Sequence, residues 1–299
     1  MGVVNRLGAI RDLPTLPVVV NQVLAITGGN DEDAASLAEV VSRDPPLAAQ
    51  VLRMANSAFY GKSIGKISSV LPAITRIGFN EVRNLALAVG VVGQFGKSGR
   101  ILDYRRFWQH SLFAARLSRE IARNSEKLQH DREAVQRAYL AGLLHDIGIL
   151  TCERFFAEEF DGILQFALNN EISFLQAERS QPGVDRHGRV GGALLELWKL
   201  HPALVASVRF HHNPADAPGL YASSAQCLFL AEYILCNSSV GSFEGQIEGN
   251  HRLAGEALGL SPRLWPQMLD KAQWYAEQYE SLLTGIEGGS GMGGTLRAV

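Results

Sequence analysis

Cysteine is scarce in this chain. Cys152, Cys227 and Cys236 are all there is, an odd number in no ligand-like spacing. A disulfide framework is therefore not expected, and the usage fits a reducing compartment. Long apolar runs are missing too. The N-terminal MGVVNRLGAIRDLP holds no apolar core of signal-peptide length, and the stretch Leu85–Val92 is far too short to span a bilayer. The cytoplasm is the expected location, with no membrane as partner. Charge of one sign is lacking as well, because 28 Lys+Arg against 30 Asp+Glu leave a formal net charge of -2. No global field then draws the chain to nucleic acid or anionic lipid. Strand pattern is the last shortage: no alternating β-branched runs bracket an Asn-Gly or Asp-Gly turn.

What is present reads as helix. Hydrophobic residues make up 46% and charged residues 19% of 299, which fits a globular chain able to bury a large core. Asp44 before Pro45 and Pro46 is a helix cap with proline in the first turn, opening PPLAAQVLRMAN. Asn80 is placed to cap EVRNLALAVGVVGQF, with Val82, Leu85, Val89 and Val92 on one stripe. Ser261 with Pro262 repeats the device before RLWPQMLDKAQWYAEQYESLL, where Pro266 should kink or delay the helix. The fold class expected is all-α, in two helical lobes. Their boundaries fall at residues 1–98 and 99–240, around the polar joint FGKSGRILDY, followed by a helical extension over 241–284. Residues 285–299 are glycine-rich and aperiodic, and read as a disordered tail. There is no internal repeat.

The chemistry-bearing side chains gather in the second lobe. His110 lies in RFWQHSLFAARL and His145-Asp146 in AYLAGLLHDIGIL; His187 lies in DRHGRVGGALLELW and His211-His212 in ASVRFHHNP. Imidazole and carboxylate together suit iron, manganese, zinc and similar divalent ions, and helices can bring such groups around one or two of them. Ions held there would activate water toward a phosphate ester and neutralise charge building on phosphorus. Each piece alone has a plainer reading. A lone helical histidine is usually a packing or surface residue, His211-His212 can simply end a helix facing its dipole, and glycines near His187 allow close packing without metal.

Order and context favour the ligand reading, because here a resemblance enters. AGLLHDIGIL, with an earlier histidine, resembles the HD superfamily of metal-dependent phosphohydrolases. HGRVGGALLELW and FHHNP resemble elements of HD-GYP phosphodiesterases and of many HDOD proteins. LPTLPVVVNQVL, VVSRDPPLAAQVLRMANSAFYG and ISSVLPAITRIGFNEVRNLAL resemble the N-terminal half of the HDOD domain, an HD-related output domain of bacterial signalling. The likeness runs from Leu13 to His212, and more loosely to Leu228. It implies a two-lobed helical HDOD fold whose second lobe is an HD-like bundle. It also implies a divalent metal site of His110, His145, Asp146, His187, His211 and His212, with a direct catalytic part for Asp146 if the protein is active. Two departures bear on activity. The residues after His212 read NPADAPGLYASS, without the Gly-Tyr-Pro signature, which disfavours cyclic-di-GMP hydrolysis. The superfamily's final aspartate is matched by Glu232, whose extra methylene moves the carboxylate.

The expected function is a signal-transduction module that binds metal, or possesses a relic of the site and no metal, and acts through a signalling protein or a small nucleotide ligand. No receiver or cyclase domain accompanies the HDOD core in these residues, so input is expected through such a partner. The competing reading is a metal-dependent phosphohydrolase of a nucleotide or other phosphate ester. Arg186 and Arg189 are its candidate phosphate clamps, although a charged pair there is more often a solvated helix start. Nucleic-acid binding through GKSIGKISS is disfavoured, because Asp31, Glu32, Asp33 and Asp44 dilute its charge. His130, His201 and His251 match no ligand position and read as surface or packing residues.

Overall fold

The computed structural model describes residues 2–15, 17–27, 33–56, 60, 65–95, 99–181, 184, 186–236, 249–264 and 266–271. They are all-α, with no strand among the described residues. Two compact units divide the chain: Pro14–Lys97 is one, and Met1–Leu13 with Ser98–Val299 is the other. The first residues, including helix α1 (Val3–Leu7), thus belong with the second unit, where α1 packs on a later helix.

In Pro14–Lys97 the helices are α2 (Val18–Thr27), α3 (Ala34–Ser42), α4 (Pro45–Ala55), α5 (Val70–Ile77) and α6 (Phe79–Phe95). Helix α6 packs against the other four, over a core that includes Val23, Leu37, Val41, Leu47, Val51 and Val82. The Asp44 cap forms as the sequence indicates: its Oδ1 accepts from the Leu47 amide at 3.0 Å, ahead of prolines that have no N–H to satisfy. Asn80 does not cap α6. Gly78, at φ 101°, turns the chain sharply and its carbonyl accepts from Val82 N at 3.2 Å, so the helix is under way before Asn80. The stripe shifts accordingly. Val82, Ala86, Leu87 and Val91 are buried, whereas Leu85 and Val89 are only partly so.

The other unit continues with α7 (Tyr104–Asn124), α8 (Arg132–Leu144), α9 (Ile147–Phe155), α10 (Ala157–Asn170), α11 (Phe174–Ser180), α12 (His187–Leu197) and α13 (Pro202–Phe210). Two 3-10 turns, Pro214–Asp216 and Gly219–Tyr221, lead into α14 (Ala222–Cys236), and α15 (His251–Ala257) follows. Helix α14 is apolar on nearly every side, as an interior helix must be, and packs on α7, α8, α13 and α15. Phe113, Leu117 and Ile121 of α7, Val135 of α8 and Leu175 of α11 share one core with it. A single acidic residue on α14, Glu232, is consequently carried into the interior.

After Ser261 the chain makes a turn over Pro262 and Arg263, and Leu264 and residues 266–271 are helical. The remainder of the expected extension, most of the joint before residue 99 and the tail over 285–299 lie outside the described residues.

Candidate metal centre

Helix ends build the site. Helix α8 finishes at Leu144, His145 extends its turn, and Asp146, at φ -95°, ψ 10°, precedes α9 without capping it through its side chain. The two residues therefore sit at a corner between helices. His187 is the first residue of α12, and His211 and His212 directly follow α13. His110 and Glu232 come from mid-helix on α7 and α14. Two glycines set the spacing. A Cβ on Gly142 would lie 2.4 Å from the Ala114 carbonyl carbon, so α8 rides directly on the α7 backbone. A Cβ on Gly148 would lie 2.0 Å from the His187 carbonyl oxygen, so α9 and α12 meet backbone to backbone.

The seven side chains converge as two groups around Asp146. In the first, His110 Nε2 lies 3.1 Å from Glu232 Oε2, and His145 Nε2 lies 3.3 Å from Glu232 Oε1 and 2.9 Å from Asp146 Oδ2. In the second, His187 Nε2 lies 3.2 Å from His211 Nε2 and 3.1 Å from His212 Nε2. Asp146 Oδ1 faces this group, 3.6 Å from His187 Nε2 and 3.8 Å from His211 Nε2. One carboxylate thus offers an oxygen to each group. Six of the seven side chains are buried, and His212 alone is partly exposed.

Electrostatics separate the groups. Burial works against a charged His145, but the carboxylates of Asp146 and Glu232 outweigh it and hold the ring well above histidine's ordinary pKa. His110 is raised in the same way, against its burial, chiefly by Glu232. Burial would raise Glu232, yet His110 and His145 bring it well below the usual carboxylate range.

The donor set fits a divalent cation. His145 Nδ1 donates to the Gly142 carbonyl at 2.7 Å and His211 Nδ1 to that of Val208 at 2.6 Å. A carbonyl only accepts, so Nδ1 is the protonated nitrogen in each ring and Nε2 is the one turned to the site. Asp146 Oδ1 is buried without a hydrogen-bond partner, a cost that a bound cation removes, while His145 Nε2 and Glu232 Oε1 face each other as an ion pair at 3.3 Å. His110, His145 and Asp146, and separately His187, His211 and His212, each present ligand atoms within 4.8 Å of one another, so each set can hold a metal ion.

The remaining candidates lie elsewhere. Arg186 and Arg189 are exposed at the first turn of α12. His130 is exposed, His201 caps α13 by accepting from Ala203 N at 3.1 Å, and His251 stacks on Tyr233 with centroids 4.2 Å apart. Sequence reasoning missed Glu178, a buried residue of α11 whose Oε2 lies 2.6 Å from His187 Nδ1. It stands in no motif, and nothing in FLQAERS distinguishes it from an ordinary helical glutamate.

A helical fold with a His-Asp pair at a helix corner, joined by further histidines and a carboxylate, defines the HD-related class of protein. Residues 13–214 match the HDOD domain, and the chain belongs to that family. An uncharacterized protein of Treponema pallidum (strain Nichols) is 25% identical over 225 residues, or 71% of this chain. The chain spans 40% of that relative's length. A candidate signal transduction protein of Marinobacter aquaeolei VT8 superposes with a TM-score of 0.74 at 25% identity, over 91% of this chain and 58% of that one. An HDOD domain protein of unknown function from Geobacter sulfurreducens superposes at 0.71 with 24% identity, over 94% and 93% of the two chains, a likeness of fold. No helix among the described residues is long and apolar enough to cross a membrane.

Proposed function

We propose that this chain is a signal-transduction HDOD module that holds one or two divalent ions at Asp146 and acts through a protein partner or a small nucleotide ligand. The observation that carries the reading is the convergence of six further ligand-type side chains around the Asp146 carboxylate, whose Oδ1 is buried without a hydrogen-bond partner. Such density of imidazole in a dry interior has no use in a bare scaffold, since each unpaired group costs about 1–3 kcal/mol. The mixed nitrogen and oxygen set suits iron, manganese or zinc. Burial favours a signalling ion over a turnover site. His212 is the one member of the set that is partly exposed, and a substrate would approach on that side.

A second reading, a metal-dependent phosphohydrolase, is favoured by one feature: Asp146 presents separate oxygens to the two groups. Two ions sharing a carboxylate supply Lewis acidity and an activated water to phosphate esters. In that case Asp146 would fix their spacing, Glu232 and the histidines would hold them, and Arg186 and Arg189 would reach the phosphate. The residues after His212 form two 3-10 turns and carry no Gly-Tyr-Pro, so a standard cyclic-di-GMP phosphodiesterase is not proposed.

The deciding measurement is the metal content of the freshly purified full chain beside a His145→Ala, Asp146→Ala double variant. About one or two equivalents, lost in the variant, support the centre. A folded wild type that takes up no added iron, manganese or zinc ends the proposal. Hydrolysis across a nucleotide panel with manganese or iron would promote the second reading over the first.

A further inference from the structure

The second group of histidines has an unusual support. Glu178 lies on α11, is 2% exposed, and faces the start of α12 with both of its oxygens. Oε1 accepts from the backbone amide of His187 at 2.9 Å, and Oε2 lies 2.6 Å from Nδ1 of the same residue. The carboxylate therefore does two jobs on one amino acid. It satisfies an amide at the first turn of α12, which has no intrahelical partner, and it grips the ring.

We propose that Glu178 is the positioning residue of the second group, holding His187 with its proton on Nδ1 so that the Nε2 lone pair is always presented to a divalent ion. The inference rests on the metal-holding reading of the centre. An ionised carboxylate only accepts, so the ring nitrogen facing Glu178 must carry the hydrogen, and in the neutral ring the opposite one is bare. Nε2 is the atom that lies 3.2 Å from His211 Nε2 and 3.6 Å from Asp146 Oδ1. His145 and His211 reach the same tautomer through backbone carbonyls of their own helices. His187 stands at a helix start and has no preceding turn to supply a carbonyl. A charged side chain from a different helix takes that place. Its negative charge also lies behind an all-imidazole set, which otherwise brings a cation only the Asp146 carboxylate.

Glu178→Gln tests the assignment, because an amide cannot accept from both N–H groups. If its oxygen keeps the backbone amide, its NH2 meets Nδ1 and drives the ring proton to Nε2, where it blocks a ligand. The first readout needs no metal and no substitution at Glu178. Imidazole nitrogen NMR of the metal-free wild type, with His187 assigned by loss of its signals in His187→Gln, should show Nδ1 protonated and Nε2 bare. A neutral His187 ring with its proton on Nε2 in the wild type overturns the proposal, whether or not Glu178→Gln folds. The second readout is zinc binding by equilibrium dialysis. Glu178→Gln should weaken one of two equivalents by about 10–100-fold, the range for loss of an outer partner, leave the other as in wild type, and move the His187 proton to Nε2. Unchanged zinc binding with an unchanged tautomer also overturns it. A wild type that binds no zinc but carries the proton on Nδ1 sinks the metal reading instead, and Glu178 is left as the residue that sets the His187 tautomer.

Discussion

The two halves of the centre share Asp146 and differ in how they exist without metal. His110, His145 and Glu232 form a carboxylate-rich half that can neutralise itself, since protonated imidazoles face ionised carboxylates. His187, His211 and His212 form an imidazole-rich half in which ring nitrogens oppose one another at 3.1–3.2 Å. His187 and His211 have Nδ1 engaged with Glu178 and the Val208 carbonyl, so their neutral rings turn Nε2 lone pairs toward each other, an arrangement that a cation would relieve. The first half is thus a stable ion-pair cluster that metal can displace, while the second is poised for a cation. This difference predicts unequal responses to substitution, acidity and packing.

The largest effect is expected at the shared residue. Asp146→Ala removes an oxygen from both halves and leaves His145 without its nearest counter-charge at 2.9 Å. Both ions should weaken by more than about 100-fold, beyond the loss expected for an outer partner, whereas Glu232→Gln should weaken only one. Elemental analysis after dialysis against defined zinc or manganese reads both outcomes. Equal losses in the two variants would erase the distinction between the halves.

Packing offers the next test. Gly148→Ala forces α9 away from α12, because the added carbon would sit 2.0 Å from the His187 carbonyl oxygen. The overpacking should cost about 1–3 kcal/mol in a urea titration and separate Asp146 from His187, loosening the imidazole-rich half. Gly142→Ala pushes α8 from α7 and should act on the His110–His145 half instead. If both variants disturb the same ion, helix spacing does not set the halves independently.

The sequence carried the contiguous parts of this centre and lost the long-range ones. His145-Asp146 is a local motif at a helix corner, and the histidine pair after α13 is equally compact, so order along the chain was enough to find them. Glu232 was reachable only through the superfamily's pattern, since LFLAEYILC by itself looks like a buried helix with one misplaced charge. Glu178 was out of reach: its meaning comes from α11 lying against the start of α12, a tertiary fact without periodicity. The α6 start failed for a local reason. Gly78 at φ 101° lets the helix begin at Phe79, one residue ahead of the Asn80 that composition marks as a cap. The all-α class needed none of this detail, because the absence of strand pattern and the frequency of caps agree over the described residues.

Acidity separates the halves more gently. In metal-free protein the raised values of His110 and His145 contribute stability that is fully present below histidine's ordinary 6.5 and is lost as pH rises through the folded values. Glu232 contributes above the ordinary carboxylate value of 4.5 and loses its share as pH falls through its depressed value. Metal-free protein should therefore be most stable between those two ordinary values and soften above 6.5. Loaded protein should not soften, because metal binding replaces the protons and tightens as they leave. Thermal melts with and without a chelator across pH 5–9 check this. Parallel curves would mean that no ion displaces the His110–His145–Glu232 protons.

The smallest effect tests the boundary between the units. Asp44 caps α4 in Pro14–Lys97, accepting from Leu47 N at 3.0 Å, and every candidate ligand lies in the other unit. Asp44→Ala should cost about 1 kcal/mol, the usual worth of a side-chain cap, since the two following prolines keep the first turn preformed. Metal stoichiometry and affinity should be those of the wild type. A measurable loss of zinc in Asp44→Ala, at a temperature where the variant is still folded, would mean that the metal centre draws on the stability of Pro14–Lys97 and that Asp146 and its histidines are not a self-sufficient site.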